Sequence, residues 1–138
     1  MAFDGTAGSE AALDQAAEMA KVMGASLLVA TVCDARTLYS KDGPDPAIVA
    51  KMDSGSSPCD SVAQAGASRA QRRGVPAKGI VLEETSGVAN ALVLCAQEEE
   101  AAMIVVGTQG DTRLKRLLLG SVAGQVVERA HCPVFVVR

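Results

Sequence analysis

Short, wholly apolar runs set between stretches of helical periodicity constrain this chain more than any other feature. Ser26–Val32 (SLLVATV), Gly79–Leu82 (GIVL), Met103–Val106 (MIVV) and Val134–Val137 (VFVV) lack the polar alternation of a strand with one wet face. Such runs read as strands buried on both sides, which is the condition of a parallel sheet. Ser9 is the predicted N-cap of a helix through Met23, with Leu13, Ala16, Ala17 and Ala20 on one face and Gly24 as left-handed C-cap. Ser57-Pro58 opens a second helix running to Arg73, stopped by Gly74 and Pro76. Ser86 is the predicted cap of a third, whose face is Val88, Ala91, Leu92 and Cys95 and whose Glu98–Glu100 end is solvated. Val122–Ala130 is the fourth, with Ala123, Val126, Val127 and Ala130 aligned. Alternating strands and helices mean βαβ units, and right-handed crossovers make the fold α/β, a doubly wound parallel sheet with helices on both faces. The 24 alanines suit helices lying close on a sheet.

Two stretches fit this scheme poorly. A first strand should precede Asp4-Gly5, yet only Met1, Ala2 and Phe3 are available, against about 5–6 residues in a typical strand. The expectation is a truncated first strand whose beginning is missing. Residues 34–57 are rich in Gly, Pro and Ser and have no periodicity, which predicts a mobile surface excursion with a short helical turn at Pro46–Met52.

Composition narrows the function classes. The 138 residues fit one domain, 1–138, without internal repeats. A net charge of −3 argues against a nucleic-acid-binding face. The aromatic residues, Phe3, Tyr39 and Phe135, are too few for a stacking platform. No apolar run approaches the ~20 residues of a membrane span, and Asp4 interrupts any secretory leader, so the expected location is the cytoplasm. Cys33, Cys59, Cys95 and Cys132 are widely spaced and His131 is the single histidine, so neither a zinc site nor a disulfide framework is expected. Unpaired thiols are the predicted state. His131 reads as a helix C-terminal residue, and Arg69, Arg72 and Arg73 as cations complementing a helix dipole. No Ser or Cys has a base and an orienting partner in view, so an enzyme is not expected.

Open parallel sheets bind ligands beyond the carboxyl ends of their strands. Asp4, Val32–Cys33, Glu83–Ser86 and the segment after Val106 therefore hold the candidates. In that last segment Gly107-x2-Gly110 is followed nine residues later by Gly120-Ser121 at a predicted helix start. Glycines allow close backbone approach, and free amides at a helix N-terminus favour an anion such as a phosphate chain. The pattern is neither a Walker A loop nor GxGxxG. By spacing alone, chain turning by Gly107 and Gly110 and capping by Ser121 explain it equally well.

The pattern Gly107-x2-Gly110-x9-Gly120-Ser121-Val122, with the closing Cys132-Pro133-Val134-Phe135-Val136-Val137, resembles the universal stress protein family. Asp4-Gly5, Gly8-Ser9-Glu10 and the Ala-rich helix after them are similar to the family's opening segment. The resemblance implies a five-stranded parallel sheet of order 3-2-1-4-5 and the ATP-binding branch of the family. It implies Asp4 on the base or ribose, Val32 against adenine, and Val106 and Gly107 where the chain passes ribose and phosphates. It likewise implies a phosphate cradle of Gly110, Gly120 and Ser121, with Val122 beside it. The ligand would be ATP, or ADP or AMP, acting as a conformational signal.

Two positions depart from the family pattern. Gln109 stands where histidine is common, and Asp111 where a basic residue is. A carboxylate ~4 Å from a phosphate costs ~4 kcal/mol at an effective dielectric constant near 20. Asp111 therefore either faces solvent, with Arg113 compensating, or joins a Mg²⁺ bridging the phosphates. Val134–Val137 is apolar on both faces and is the expected sheet edge, where pairing with a second copy would give a homodimer. An unidentified protein partner is also expected. The competing reading is a nucleotide-independent dimeric scaffold that docks such partners.

Overall fold

The computed structural model describes residues 1–33, 39–40, 43–44, 57–108 and 119–138. In chain order the elements are α1 (Ala7–Met23), β1 (Leu27–Cys33), β2 (Tyr39–Ser40), β3 (Gly43–Pro44), α2 (Pro58–Arg72), β4 (Ala77–Glu83), α3 (Val88–Glu98), β5 (Ile104–Gly107), α4 (Ser121–Arg129) and β6 (Val134–Val137). β1 pairs with β4 and β5 with β6, both in parallel, with Leu27 opposite Ala77 and Ile104 opposite Val134.

Met1–Phe3 lies between the two pairs. The Phe3 amide donates to the Ala30 carbonyl at 2.9 Å, and the Ala30 amide to the Met1 carbonyl at 2.9 Å. On the other side the Ala2 amide donates to the Val105 carbonyl at 3.0 Å. Ala2 thus makes a parallel bridge to Ala30, and Met1–Phe3 joins the two strand pairs. The Met1 ammonium is buried there and donates to the Leu28 carbonyl at 3.0 Å. That burial lowers its pKa from 8.0 to about 6, against smaller opposing effects of Cys95 and Cys132.

The period-two alternation of the strands separates two cores. Val29 faces Phe3, Leu13, Ala67 and Ala70, under α1 and α2. Its neighbour Ala30 faces the other way, toward Ala89, Leu92, Val106, Ala123 and Val126, under α3 and α4. Helices therefore cover both faces. Where α2 crosses the sheet, glycines remove side chains altogether. A Cβ on Gly66 would lie 2.8 Å from both Phe3 Cδ1 and Val29 Cγ1, and one on Gly79 would lie 2.6 Å from the Ala63 carbonyl oxygen.

Several caps depart from the sequence expectations. Thr6, not Ser9, caps α1: its hydroxyl accepts from the Ser9 amide at 3.3 Å. Ser9 is buried one turn in, where its own hydroxyl donates to the Thr6 carbonyl at 3.0 Å. Gly87, not Ser86, caps α3, because the chain enters that helix at φ 100°, which an L side chain resists. The final helix spans Ser121–Arg129, shifted one residue from expectation. Gly24 closes α1 at φ 63°, and Ser57 opens α2 in a reciprocal capping box with Asp60, as their sequence positions suggest.

The thiol expectation fails for one pair. Cys33 and Cys59 form a disulfide, with Cα atoms 5.9 Å apart. α2 packs across β1 and β4, which brings its first turn to the end of β1, and no spacing rule reveals that contact. Cys95 and Cys132 are free thiols. Within the 34–57 stretch, Tyr39–Ser40 and Gly43–Pro44 make a short antiparallel ladder that periodicity did not suggest. The helical turn expected at Pro46–Met52 lies outside the described residues. Among the described residues, no helix is long and apolar enough to cross a membrane.

Candidate functional site

The strands end together at one rim. β1 finishes at Cys33 and β4 at Glu83, where the Glu84 amide donates to the Cys33 carbonyl at 3.4 Å. β5 finishes at Gly107, and the Thr108 amide continues the ladder to the Val137 carbonyl at 2.8 Å. The Met1–Phe3 segment ends between them, secured by the Thr31 hydroxyl, which donates to the Phe3 carbonyl at 2.9 Å.

Asp4 is the next residue and is exposed. Its Oδ1 accepts from the Thr6 amide at 3.0 Å and the Thr6 hydroxyl at 2.6 Å, while the Asp4 amide meets the Ser9 hydroxyl at 3.4 Å. Asp4 therefore shapes the entry to α1, and Oδ2 takes part in none of these bonds. The first turn of α1 then presses on β5: a Cβ on Gly107 would sit 3.0 Å from the Gly8 carbonyl oxygen.

Gly107 leads to Thr108, whose carbonyl accepts from the Gly120 amide at 3.0 Å. A Cβ on Gly120 would lie 2.6 Å from that same oxygen, so only glycine fits without displacement. Gly120 caps α4 without any side-chain hydrogen bond, and the first intrahelical bond runs from the Gly124 amide to the Gly120 carbonyl at 2.8 Å. The amides of Ser121, Val122 and Ala123 precede it, as the first donors of any helix do. Ser121 and Val122 are exposed.

The rim thus brings together Asp4, Gly107, Gly120, Ser121 and Val122 through consecutive contacts: Asp4 with Ser9, Gly8 with Gly107, and Thr108 with Gly120. Val32 stands one residue before the end of β1, opposite Leu82, half-buried and packed against the α3–α4 core. Val106 is buried at 2% exposure, so its side chain is core and only its backbone can face a ligand. Gln109, Gly110, Asp111 and Arg113 lie outside the described residues.

Thr108 was missed by the sequence reading, although its carbonyl organises the rim. The signal was the glycine at 120, whose close neighbour could not be named from sequence. Among the described residues, a cavity of about 830 Å³ lies at the amino ends of the strands, lined by Met1, Met19, Met23, Leu27 and Met103. Among the described residues, no cluster of three or more His, Cys, Asp or Glu is arranged to hold a metal ion.

An α/β sheet with helices on both faces and its glycine-marked loops at the carboxyl rim defines the class of protein. The family model "Universal stress protein family" matches residues 1–138, and the chain belongs to that family. A putative universal stress protein of Staphylococcus saprophyticus is 31% identical over 138 residues, all of this chain and 81% of that protein. A universal stress protein of Methanocaldococcus jannaschii is 54% identical over 50 residues, which are 36% of this chain and 29% of that protein. Among solved structures, a universal stress protein in complex with cAMP superposes with TM-score 0.69 at 26% identity, covering 100% of this chain and 93% of that one. The Archaeoglobus fulgidus protein in complex with dAMP superposes with TM-score 0.70 at 20% identity, covering 99% of this chain and 94% of that one.

Proposed function

We propose that this chain binds an adenine nucleotide, ATP or its ADP or AMP forms, at the carboxyl rim and uses it as a conformational signal in a stress response. The observation that carries the reading is the convergence of the Asp4 turn, the end of β5 and the N-terminus of α4 on one rim. The nucleotides held by similar proteins of known structure support it. In this reading Met1–Phe3 lies in the central strand of a five-stranded sheet ordered 3-2-1-4-5, and residues 1–138 are one nucleotide-binding domain. Val32 meets the adenine and Asp4 Oδ2 the base or ribose. The backbone of Val106 and Gly107 passes the ribose, and the amides of Ser121 and Val122, with the Ser121 hydroxyl, take phosphate oxygens. Gln109, Gly110 and Arg113 complete the cradle, and Mg²⁺ is the partner Asp111 would need beside a triphosphate.

The proposed assembly is a cytoplasmic homodimer paired along β6. The Pro133 and Val137 carbonyls face β5, so strand alternation turns the Val134 and Val136 amides outward. Phe135, at 39% exposure, adds apolar surface beside that edge. Val136→Pro should therefore yield monomers or aggregates by light scattering while leaving the β5 ladder intact; an unchanged dimer refutes edge pairing.

The scaffold reading draws on one observation: Gly107 and Gly120 each have backbone against them, so close packing alone accounts for both. Calorimetric titration of nucleotide-stripped protein with ATP and Mg²⁺ separates the two. One-per-chain binding that Gly120→Val removes and Asp111→Arg tightens supports the nucleotide reading. No heat from micromolar to millimolar ATP, at several temperatures, supports the scaffold.

A further inference from the structure

The Cys33–Cys59 bridge joins the last residue of β1 to the second residue of α2, 26 positions apart in sequence. Both ends bear on the rim. Cys33 follows Val32, and its carbonyl holds the Glu84 amide where β4 ends. Cys59 sits in the first turn of α2, its amide donating to the Ser57 hydroxyl at 3.2 Å inside the Ser57–Asp60 capping box. The bridge therefore fastens the strand end that carries the adenine-facing position to a rigid helix terminus.

We propose that Cys33 and Cys59 form a thiol–disulfide switch on the nucleotide site, an inference that rests on the nucleotide-binding reading above. The oxidised pair holds the end of β1 in its binding geometry. Closing the chain between residues 33 and 59 into a ring removes conformational freedom before the ligand arrives, and such preorganisation strengthens binding. Reduction returns that freedom and weakens affinity.

The two sulfurs differ in a way that suits exchange. Cys59 is 8% exposed, whereas Cys33 is the more accessible. A thiolate of an external dithiol attacks the Cys33 sulfur, forms a mixed disulfide there and breaks the bond to Cys59. The Cys59 sulfur leaves as a thiolate in the first turn of α2, where the helix dipole favours the anion. The second thiol of the reductant then attacks its own sulfur in the mixed disulfide and expels Cys33. The dithiol becomes a disulfide, and two electrons and two protons pass to the protein. In a reducing compartment a bridge of this kind is transient, as a sensor requires.

The test compares oxidised protein with protein reduced by dithiothreitol. Thiol titration after unfolding should count Cys95 and Cys132 alone in the oxidised form and all four cysteines in the reduced form. Four thiols before reduction, under oxidising preparation, overturn the proposal. By calorimetry, reduction should raise the ATP dissociation constant about tenfold, the loss expected for one removed constraint. The double variant Cys33→Ser/Cys59→Ser should bind like reduced protein and ignore the reductant. Hydrogen exchange at the Glu84 amide gives a readout that needs no nucleotide, and it should speed up on reduction. Equal affinity in both redox states overturns the switch and leaves nucleotide binding standing. Faster Glu84 exchange with no ATP binding in either state overturns the nucleotide reading, and control of that site falls with it. Unchanged exchange together with unchanged affinity overturns the switch alone.

Discussion

The Thr108 carbonyl and the Gly120 amide meet at 3.0 Å, which closes the chain between the end of β5 and the start of α4. The bond fixes where α4 begins, beside the end of β5. Any side chain at 120 would press on the same oxygen, at 2.6 Å. The φ of Gly120 is −56°, so the requirement for glycine here is one of space rather than of backbone conformation. Gly120→Ala should cost about 1–3 kcal/mol by urea denaturation, as overpacking against backbone does. A loss under 0.5 kcal/mol would show that the loop yields freely.

Gly66 makes a similar demand inside the core. Its missing Cβ leaves room for Phe3 and Val29, each 2.8 Å from where that atom would stand. Gly66→Ala should destabilise by about 1–3 kcal/mol. Phe3→Leu added to it should restore part of the loss, since the ring edge is half of the clash. Strict additivity in the double-mutant cycle would refute that account.

Protonation of the Met1 amine links stability to pH. The unfolded ammonium titrates near 8.0 and the folded one near about 6. Between these values the unfolded chain binds more protons, so stability rises as pH climbs from 6 to 8. The full gain is on the order of 2–3 kcal/mol. Adding four or five β-branched residues ahead of Met1 replaces the amine with an amide and should flatten that slope in denaturant titrations. A slope that persists assigns the dependence to another group.

Asp14 carries a dependence of the same sign at acid pH. Hydrogen bonds from Arg69, 2.8 Å and 2.9 Å long, hold its carboxyl below the usual carboxylate range, with the Arg73 charge assisting. The contribution is present above the unfolded carboxylate pKa and is lost as pH falls through the lower folded value. Both side chains are partly exposed, so screening limits the pair to about 0.5–1 kcal/mol. Asp14→Asn should lose that amount at pH 7 and show no difference from the parent once Asp14 is protonated.

Strand positions were legible in the sequence, while full burial and tertiary neighbours were not. The apolar runs located β1, β4, β5 and β6 within a few residues, but only β1 and β5 contain buried residues, and every residue of β4 and β6 keeps some exposure instead of the two-sided burial expected. Gly24 and Ser57 announced their caps because each acts on its own turn. Ser9 and Ser86 misled for the same local reason: Thr6 and Gly87 were equally able to cap, and burial of Ser9 decided the first case. Gly107 and Gly120 were noticed for an anion, whereas the atoms nearest to them belong to Gly8 and Thr108. The Cys33–Cys59 contact depends on how α2 crosses the sheet, which no local pattern encodes.

The ion pairs between α1 and α2 form a rack whose teeth repeat. Arg69 pairs with Glu10 and Asp14, while Arg73 pairs with Asp14 and Glu18. The carboxylates recur every four residues and so do the guanidiniums, so sliding α2 by one tooth, about 6 Å, would still bring Arg69 to Asp14 and Glu18. Electrostatics thus sets how the two helices are rotated toward each other but hardly where they stop. The stop comes from Gly66, a notch only one residue wide that must come to rest over Phe3 and Val29.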